Sequence, residues 1–301
     1  YYLELSKFDD KKIFNFDSHS VTVLIPAHNE EKVIEKTLEF VHNLDYPVDK
    51  LEIAVINDNS QDKTLEILET LQKKYTNLKI INTGKDGGRG KSNALNIGLK
   101  QTLGEYIVVY DADNTPEKNS LRYLVYTILS NDSYGAVVGK FRTRNKVKNL
   151  LTKFINLEGL NFQWMAQGGR WKLLGISTIP GTNFIIKRKV LNEIGGWDPD
   201  AIAEDTEISI RIYQHGKKIC FMPLAVTWEQ EPETVKVWIK QRTRWVKGNV
   251  YVMWKYVFRL NSLKSSRIIL YISYFFCIYF LFLISLVSSD IIFILGVFTD
   301  I

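Results

Sequence analysis

A chain of 301 residues is long enough for one large α/β domain with a substantial core, or for a domain with a membrane appendage. Its two cysteines, Cys220 and Cys277, lie far apart and suggest neither a disulfide framework nor a zinc site, which suits a reducing compartment. The net charge of +6 does not point to nucleic acid, because the excess basic residues gather ahead of an apolar run near the C-terminus instead of forming a separate basic module.

Residues 1–20 mix aromatic and charged side chains without a period and read as a lead-in from a preceding membrane element; the first residue is Tyr1, so the chain reads as a piece of a longer polypeptide. Regular α/β alternation then begins. Val21 to Ile25 is apolar enough for a buried strand that Pro26 stops, and helical spacing follows through Val33, Ile34, Leu38 and Val41. Ile53 to Ile56 predicts a second buried strand, followed by a helix carrying Leu65, Leu68 and Leu71. Leu78 to Ile81 predicts a third, and a glycine-rich stretch from Gly84 to Gly90 leads into a helix through Ala94, Leu95 and Leu99. Tyr106 to Tyr110 predicts a fourth, running into Asp111-Ala112-Asp113. This order implies a mostly parallel sheet with helices on both faces, with ligands at the carboxyl ends of the strands. The polar loops after Ile25, Ile56 and Tyr110 are therefore expected to share one pocket.

After residue 145 the alternation stops. Phe154, Ile155, Leu160, Phe162, Trp164 and Met165, interspersed with Lys146, Lys148 and Lys153, fit either an interfacial amphipathic helix or a helix packed on the sheet edge. A further helix is predicted to begin near Pro232 with Glu233 in its first turn. Ile268 to Val287 is uncharged for twenty residues. At 1.5 Å per residue that length crosses a bilayer core of roughly 30 Å, so a transmembrane helix over 267–289 is expected, a buried core helix being the alternative. Lys255, Arg259, Lys264 and Arg267 precede it, with no acidic residue between Glu233 and Asp290, which places that flank on the cytoplasmic side.

Five constellations carry chemistry. Asp111 and Asp113, on a turning backbone after a hydrophobic strand, can approach one Mg²⁺ or Mn²⁺ and bridge it to phosphate oxygens. Pro26-Ala27-His28-Asn29-Glu30 and Asn57-Asp58-Asn59-Ser60 offer short polar groups to a base or ribose; helix capping by Ser60 and Asp62 is the alternative. Gly87-Gly88-Arg89-Gly90-Lys91 can approach a phosphate or form a flexible surface loop, and its spacing is not that of a Walker sequence. Glu204 and Asp205 can supply a general base, or simply complement a helix N-terminus. Gln241, Arg244 and Trp245 fall at i, i+3 and i+4, presenting a guanidinium fork beside an aromatic plate, or a basic interfacial helix.

Taken together, in this order over roughly residues 20–250, these motifs resemble the family 2 glycosyltransferases. In particular they resemble the membrane-embedded synthases of cellulose, chitin, hyaluronan and poly-N-acetylglucosamine. The resemblance implies a GT-A-like cytoplasmic catalytic domain over 21–230, interfacial helices over 231–266 carrying Gln-Arg-Thr-Arg-Trp, and several membrane passes in the full-length protein. It assigns Ala27, Asn29, Glu30 and Asp58 to the nucleotide, and Lys91, Asp111, Gln241 and Arg244 to the nucleotide-sugar. Asp113 becomes the direct metal ligand, with Asp111 beside it. Asp205, next to Glu204, becomes the catalytic base, and Trp245 with Gly181, Thr182 and Asn183 meets the acceptor. The implied reaction is inverting, metal-dependent transfer from UDP-N-acetylglucosamine or UDP-glucose to a growing β-linked polysaccharide coupled to translocation. Single addition to a membrane lipid is the alternative. One departure stands out: Asn57 occupies a position where many members carry Asp, and the poly-N-acetylglucosamine-type synthases resemble the Asn-Asp form.

Overall fold

Strands β1 (Val21–Ala27), β2 (Leu51–Asn57), β3 (Leu78–Asn82) and β4 (Tyr106–Val109) form the parallel half of an eight-stranded sheet. The other half consists of β5 (Thr115–Pro116), β6 (Tyr134–Thr143), β7 (Phe184–Lys187) and β8 (Lys218–Glu229), and the order is β3-β2-β1-β4-β7-β6-β8-β5. The computed structural model describes residues 19–257 and the scattered positions 269, 273, 284, 288, 289, 291 and 292. The expected membrane span at 267–289, and all of the lead-in except His19 and Ser20, lie outside the continuously described part. Among the described residues no helix is long and apolar enough to cross a membrane.

The first strands are apolar on both faces because both faces are covered. Val21, Val23 and Ile25 point into one core and Leu24 into the other; Ile53 and Val55 alternate with Ala54 and Ile56 in the same way. The first core is closed by α1 (Ile34–His42), α2 (Thr64–Lys74) and α4 (Ser120–Leu129); α1 buries Ile34, Thr37, Leu38 and Val41, one helical stripe. The second is closed by α3 (Lys91–Lys100), α7 (Arg188–Glu193) and α8 (Glu204–Gln214). Pro26 does not stop β1, which runs on to Ala27. Pairing with β4 ends at Leu24, so Pro26 has a ladder partner on the β2 side alone, and its missing N–H falls where the strand is an edge.

Strand β7 runs antiparallel to both β4 and β6, while β6 and β8 are parallel. Its reversal brings the segment before it, Gly181 to Asn183, to the edge of the sheet where β4 ends: the Asn183 amide donates to the Val109 carbonyl.

The apolar segment after residue 145 becomes α5 (Leu150–Asn161), a π-helical stretch Phe162–Gly169, and α6 (Arg170–Leu174). Asn149 and Thr152 form a reciprocal capping box at the start of α5. Gln163 then reaches the sheet: its Oε1 accepts from the Phe141 amide and its Nε2 donates to the Phe141 carbonyl, so one side chain acts as a ladder rung. The segment packs on the sheet edge, and Leu150, Phe154, Leu157 and Met165 remain exposed on it.

The last helix, α9 (Val235–Val257), starts later than its sequence suggests. Glu233 lies ahead of it, not in its first turn, because that residue is held elsewhere: Asn145 Nδ2 donates to its carboxylate and Asn149 Nδ2 to its carbonyl.

Candidate active site

The three polar loops at the carboxyl ends of β1, β2 and β4 converge. The Asp58 amide donates to the Ala27 carbonyl, His28 Nδ1 lies 2.6 Å from the Asp58 carbonyl oxygen, and the Asn29 amide donates to Ser60 Oγ. Ser60 thus joins the loops and does not cap α2; Asp62 supplies the oxygen that receives the Thr64 amide. Among the described residues Asn29, Asn59 and Asn183 are the non-glycines with positive φ; the first two sit on these loops and Asn183 lies just before β7. Thr37 Oγ1 donates to the Ala112 carbonyl, which ties α1 to the turn after β4.

Asp58 anchors the glycine-rich segment. Its Oδ1 accepts from Thr83 Oγ1 at 2.8 Å and from the Gly88 amide at 2.7 Å. A side chain at Gly87 would collide with Thr83 and Asp58, so the close approach requires glycine here. Asn57 Nδ2 donates to Asn82 Oδ1 on β3 and its Oδ1 accepts from the Ser60 amide, a donor and an acceptor that one amide side chain supplies and a carboxylate does not.

Lys91, the first residue of α3, places its ammonium 2.5 Å from Asp111 Oδ1, 2.7 Å from the Gly181 carbonyl and 3.5 Å from Glu204 Oε1. Burial disfavours that charge, but Asp111 and Glu204 outweigh it and raise the lysine pKa. Asp205 stands beside this cluster at the start of α8. Burial, then the neighbouring Glu204, raises its carboxyl to about 7. The Thr206 amide donates to Asp205 Oδ1 and fixes the carboxylate's orientation.

Asp113 is raised by burial and by Asp111, and Glu30 is raised to about 7 by burial, Asp113 and Asp111. Burial and mutual repulsion therefore disfavour charge on Asp113 and Glu30 beside the Asp-Ala-Asp turn. Thr182 and Asn183, expected to touch an acceptor, are buried behind the turn instead. Thr182 Oγ1 receives the Asp111 amide, and Asn183 Nδ2 donates to the Lys140 and Ala225 carbonyls, so both side chains brace strand ends. Gly181 does face the site, with its α-carbon side toward Asp205 Oδ2.

The Gln241, Arg244 and Trp245 face lies on α9. Arg244 is exposed, and among the described residues it forms no ion pair with the carboxylates. Arg242 takes the ordered position: it bonds Glu158 at 2.6 Å and lies 4.3 Å from the centre of the Trp245 ring. Farther along, α9 is fastened to α8. A side chain at Gly248 would come within 2.7 Å of Ala203 Cβ, the residue before Glu204, so the two backbones pack without intervening atoms. Glu207, fully buried on α8, accepts from Arg211, Lys255 and Tyr256.

A family model described as "Glycosyltransferase like family 2" matches residues 19–248. The chain belongs to the family 2 glycosyltransferases. It is 54% identical over 281 residues to the "Probable glycosyltransferase YdaM" of Bacillus subtilis (strain 168), covering 93% of this chain and 67% of that protein. It is 33% identical over 252 residues to the poly-beta-1,6-N-acetyl-D-glucosamine synthase of Staphylococcus aureus (strain COL), covering 84% of this chain and 59% of the synthase. The chain thus spans only part of the length of these relatives. Its fold is like that of a mannosyltransferase from Pyrobaculum calidifontis in complex with GDP-Man and Mn²⁺, with a TM-score of 0.64, 24% identity, and coverage of 82% of this chain and 69% of the other. It is also like S. aureus TarS 1-349 in complex with UDP, with a TM-score of 0.58, 18% identity, and coverage of 82% and 67%. These likenesses establish a GT-A-like α/β fold.

This family 2 glycosyltransferase carries acidic residues near the turn that motif reading passes over. Glu229, at the end of β8, is raised well above the usual carboxylate range by burial, Glu231, Asp113 and Asp111. The Glu229-Gln230-Glu231 spacing repeats the Asp111-Ala112-Asp113 pattern at a second strand end, and that repeat is the signal in the sequence. Among the described residues no three His, Cys, Asp or Glu side chains form a ready-made metal cage. Asp111 and Asp113, two carboxylates on one turn, nevertheless fit a hard divalent cation that takes its remaining ligands from substrate phosphates.

Proposed function

We propose that the full protein transfers a sugar from a UDP-sugar to a growing β-linked polysaccharide with inversion, at the cytoplasmic face of the cell membrane, and passes the product through its own membrane helices. The observation that carries the chemical part is the placement of Asp205 against Gly181 and the Lys91–Asp111 pair, with its carboxyl held near neutrality. The similarity to the staphylococcal synthase supports the polysaccharide and favours UDP-N-acetylglucosamine over UDP-glucose.

In this reading Ala27, Asn29, Glu30 and Asp58 cradle the nucleotide and the Gly87 to Gly90 loop approaches the diphosphate. Asp113, with Asp111, would hold Mg²⁺ or Mn²⁺, which when bound offsets charge on the donor diphosphate. Asp205 takes the proton of an acceptor hydroxyl as that oxygen bonds to the anomeric carbon and the bond from that carbon to the diphosphate breaks. Lys91 and Arg244 stabilise the negative charge left on UDP. Gln241 and Trp245 lie with Arg244 on the helix that closes the site against water, and Trp245 offers its ring to the acceptor sugar. The run at 267–289 serves as one of the membrane passes, with the exposed apolar side chains of α5 and α9 at the bilayer surface.

The test uses purified full-length protein with UDP-N-acetylglucosamine or UDP-glucose and Mg²⁺ or Mn²⁺, reading UDP release and product length. Long β-linked chains are expected. Products extended by one sugar on a lipid would replace the processive reading with lipid glycosylation, and absence of metal-dependent UDP release with every donor would overturn both.

A further inference from the structure

Between Lys140 to Thr143 of β6 with Pro223, Leu224 and Trp228 of β8 on one side and α5 with its π-helical extension on the other lies a cavity of about 690 Å³. Lys140, Arg142 and Lys146 line it, and no acidic residue does. Among the described residues none of these three side chains forms an ion pair or a hydrogen bond. What they meet is indole: Lys140 Nζ lies 4.9 Å from the Trp164 ring centre, and Arg142 and Lys146 lie 5.3 Å and 6.0 Å from that of Trp228.

Lys140 is the decisive residue. The residue is 7% exposed, and its side chain lines the cavity with no carboxylate in contact among the described residues. The acid whose field reaches it, Glu117, is engaged by the Trp228 indole N–H at 3.0 Å. Burial and Arg142 push the Lys140 pKa down, and Glu117 offsets only part of that. A ring face attracts a cation without neutralising it, so three cations around one space leave that space positive.

We propose that this cavity is a binding site for a phosphate ester, distinct from the donor diphosphate site, with the anion between Lys140, Arg142 and Lys146 and the organic part against Trp164, Trp228 and Leu160. A tetrahedral anion with several charged oxygens can satisfy a guanidinium fork and two ammonium groups together. The ester can belong to a membrane phospholipid, since Phe154 and Leu157 on the same helix are exposed, or to a soluble phosphate compound. The inference does not rest on the proposed sugar transfer, because binding here needs neither donor nor acceptor.

The full-length protein is titrated without nucleotide-sugar, following tryptophan emission, with glycerol 3-phosphate in detergent and with nanodiscs of phosphatidylglycerol or of phosphatidylcholine alone. A saturable change is expected with glycerol 3-phosphate or with phosphatidylglycerol, larger than with phosphatidylcholine, and unaffected by saturating UDP. A response to glycerol 3-phosphate identifies a soluble ester as sufficient; a response confined to phosphatidylglycerol identifies the lipid. Lys140→Met is expected to weaken the response at least tenfold. The pair Arg142→Glu and Lys146→Glu, both at exposed positions, is expected to do the same with an unchanged circular dichroism melt, and decides the matter should Lys140→Met not fold. No response to either ligand, competition by UDP, or an unaltered response in the double variant overturns the proposal.

Discussion

Lys255 on α9 and Glu207 on α8 form an ion pair at 2.7 Å, with the Glu207 side chain fully buried. Lys255 also bonds Asp198 at 2.7 Å, and Arg211 and Tyr256 complete the set around Glu207. The helix of Gln241, Arg244 and Trp245 is thereby locked to the helix that begins with Glu204 and Asp205. Removing a partner from a buried ion pair leaves uncompensated charge. Glu207→Ala is expected to destabilise the protein by about 3–5 kcal/mol in urea denaturation. A loss well below about 1 kcal/mol, the size of a surface pair, would show that the lock contributes little.

Asp205→Asn keeps the shape of the side chain and removes its basicity. The turnover rate is expected to fall by about 10²–10⁴-fold with donor affinity retained, as measured by UDP release and by binding of the UDP-sugar. In the unaltered enzyme the rate should rise with pH through a midpoint near 7, because the carboxyl held at about 7 must lose its proton before it can act. A rate independent of pH between 5.5 and about 8 would argue against this residue as the base.

Gly87→Ala places a methyl group where Thr83 Oγ1 and Asp58 Oδ1 now meet. The loop must shift and release Asp58, so the KM for the nucleotide-sugar is expected to rise by about tenfold, equivalent to about 1.4 kcal/mol of binding, with a smaller effect on the rate at saturation. Gly88→Ala tests the backbone more than the space, since nothing lies within 4 Å of a side chain there while its φ is +76°.

Glu30 and Asp205 are both raised to about 7, from ordinary values of 4.5 and 3.8. The folded protein therefore holds protons that the unfolded chain has released, and the stability this gives is present below the ordinary values and lost as pH rises through 7. The melting temperature is expected to fall between pH 5 and about 8. Glu30→Gln should flatten that dependence, and Mg²⁺ or Mn²⁺ at the upper end of the range should restore part of the loss by binding the folded state. A melting temperature that climbs across the interval would contradict the shifts.

The parallel half of the sheet is legible from sequence because Val, Ile and Leu fill both faces of strands that have no solvent side. The half built around β7 is not. Strand β7 is four residues long, and its reversal depends on pairing with β4 and β6 from far along the chain. The same distance hides Glu229. Its place near Asp113 follows from pairing of Thr115 with Trp228, which no local pattern announces. The Asp111, Asp113 and Asp205 assignments depend on strand ends and a helix start, features that sequence signals mark directly. The start of α9 is misread because Pro232 and Glu233 carry an N-terminal signature while Asn145 and Asn149 hold Glu233 for the preceding loop.

Because β7 presents its beginning where its neighbours present their ends, the opposite rim of the sheet is left to plain connections. Ser20, Asn77, Glu105 and Ser133 meet there, each giving its carbonyl to the start of a strand or of α7, and Gly216 and Lys217 turn the chain from α8 into β8 at the same rim. That rim is a handle for the experimenter. A peptide tag or a fluorescent domain spliced at Gly216 would sit a sheet's length from Asp205, and would report on the enzyme's abundance or position while leaving its chemistry alone.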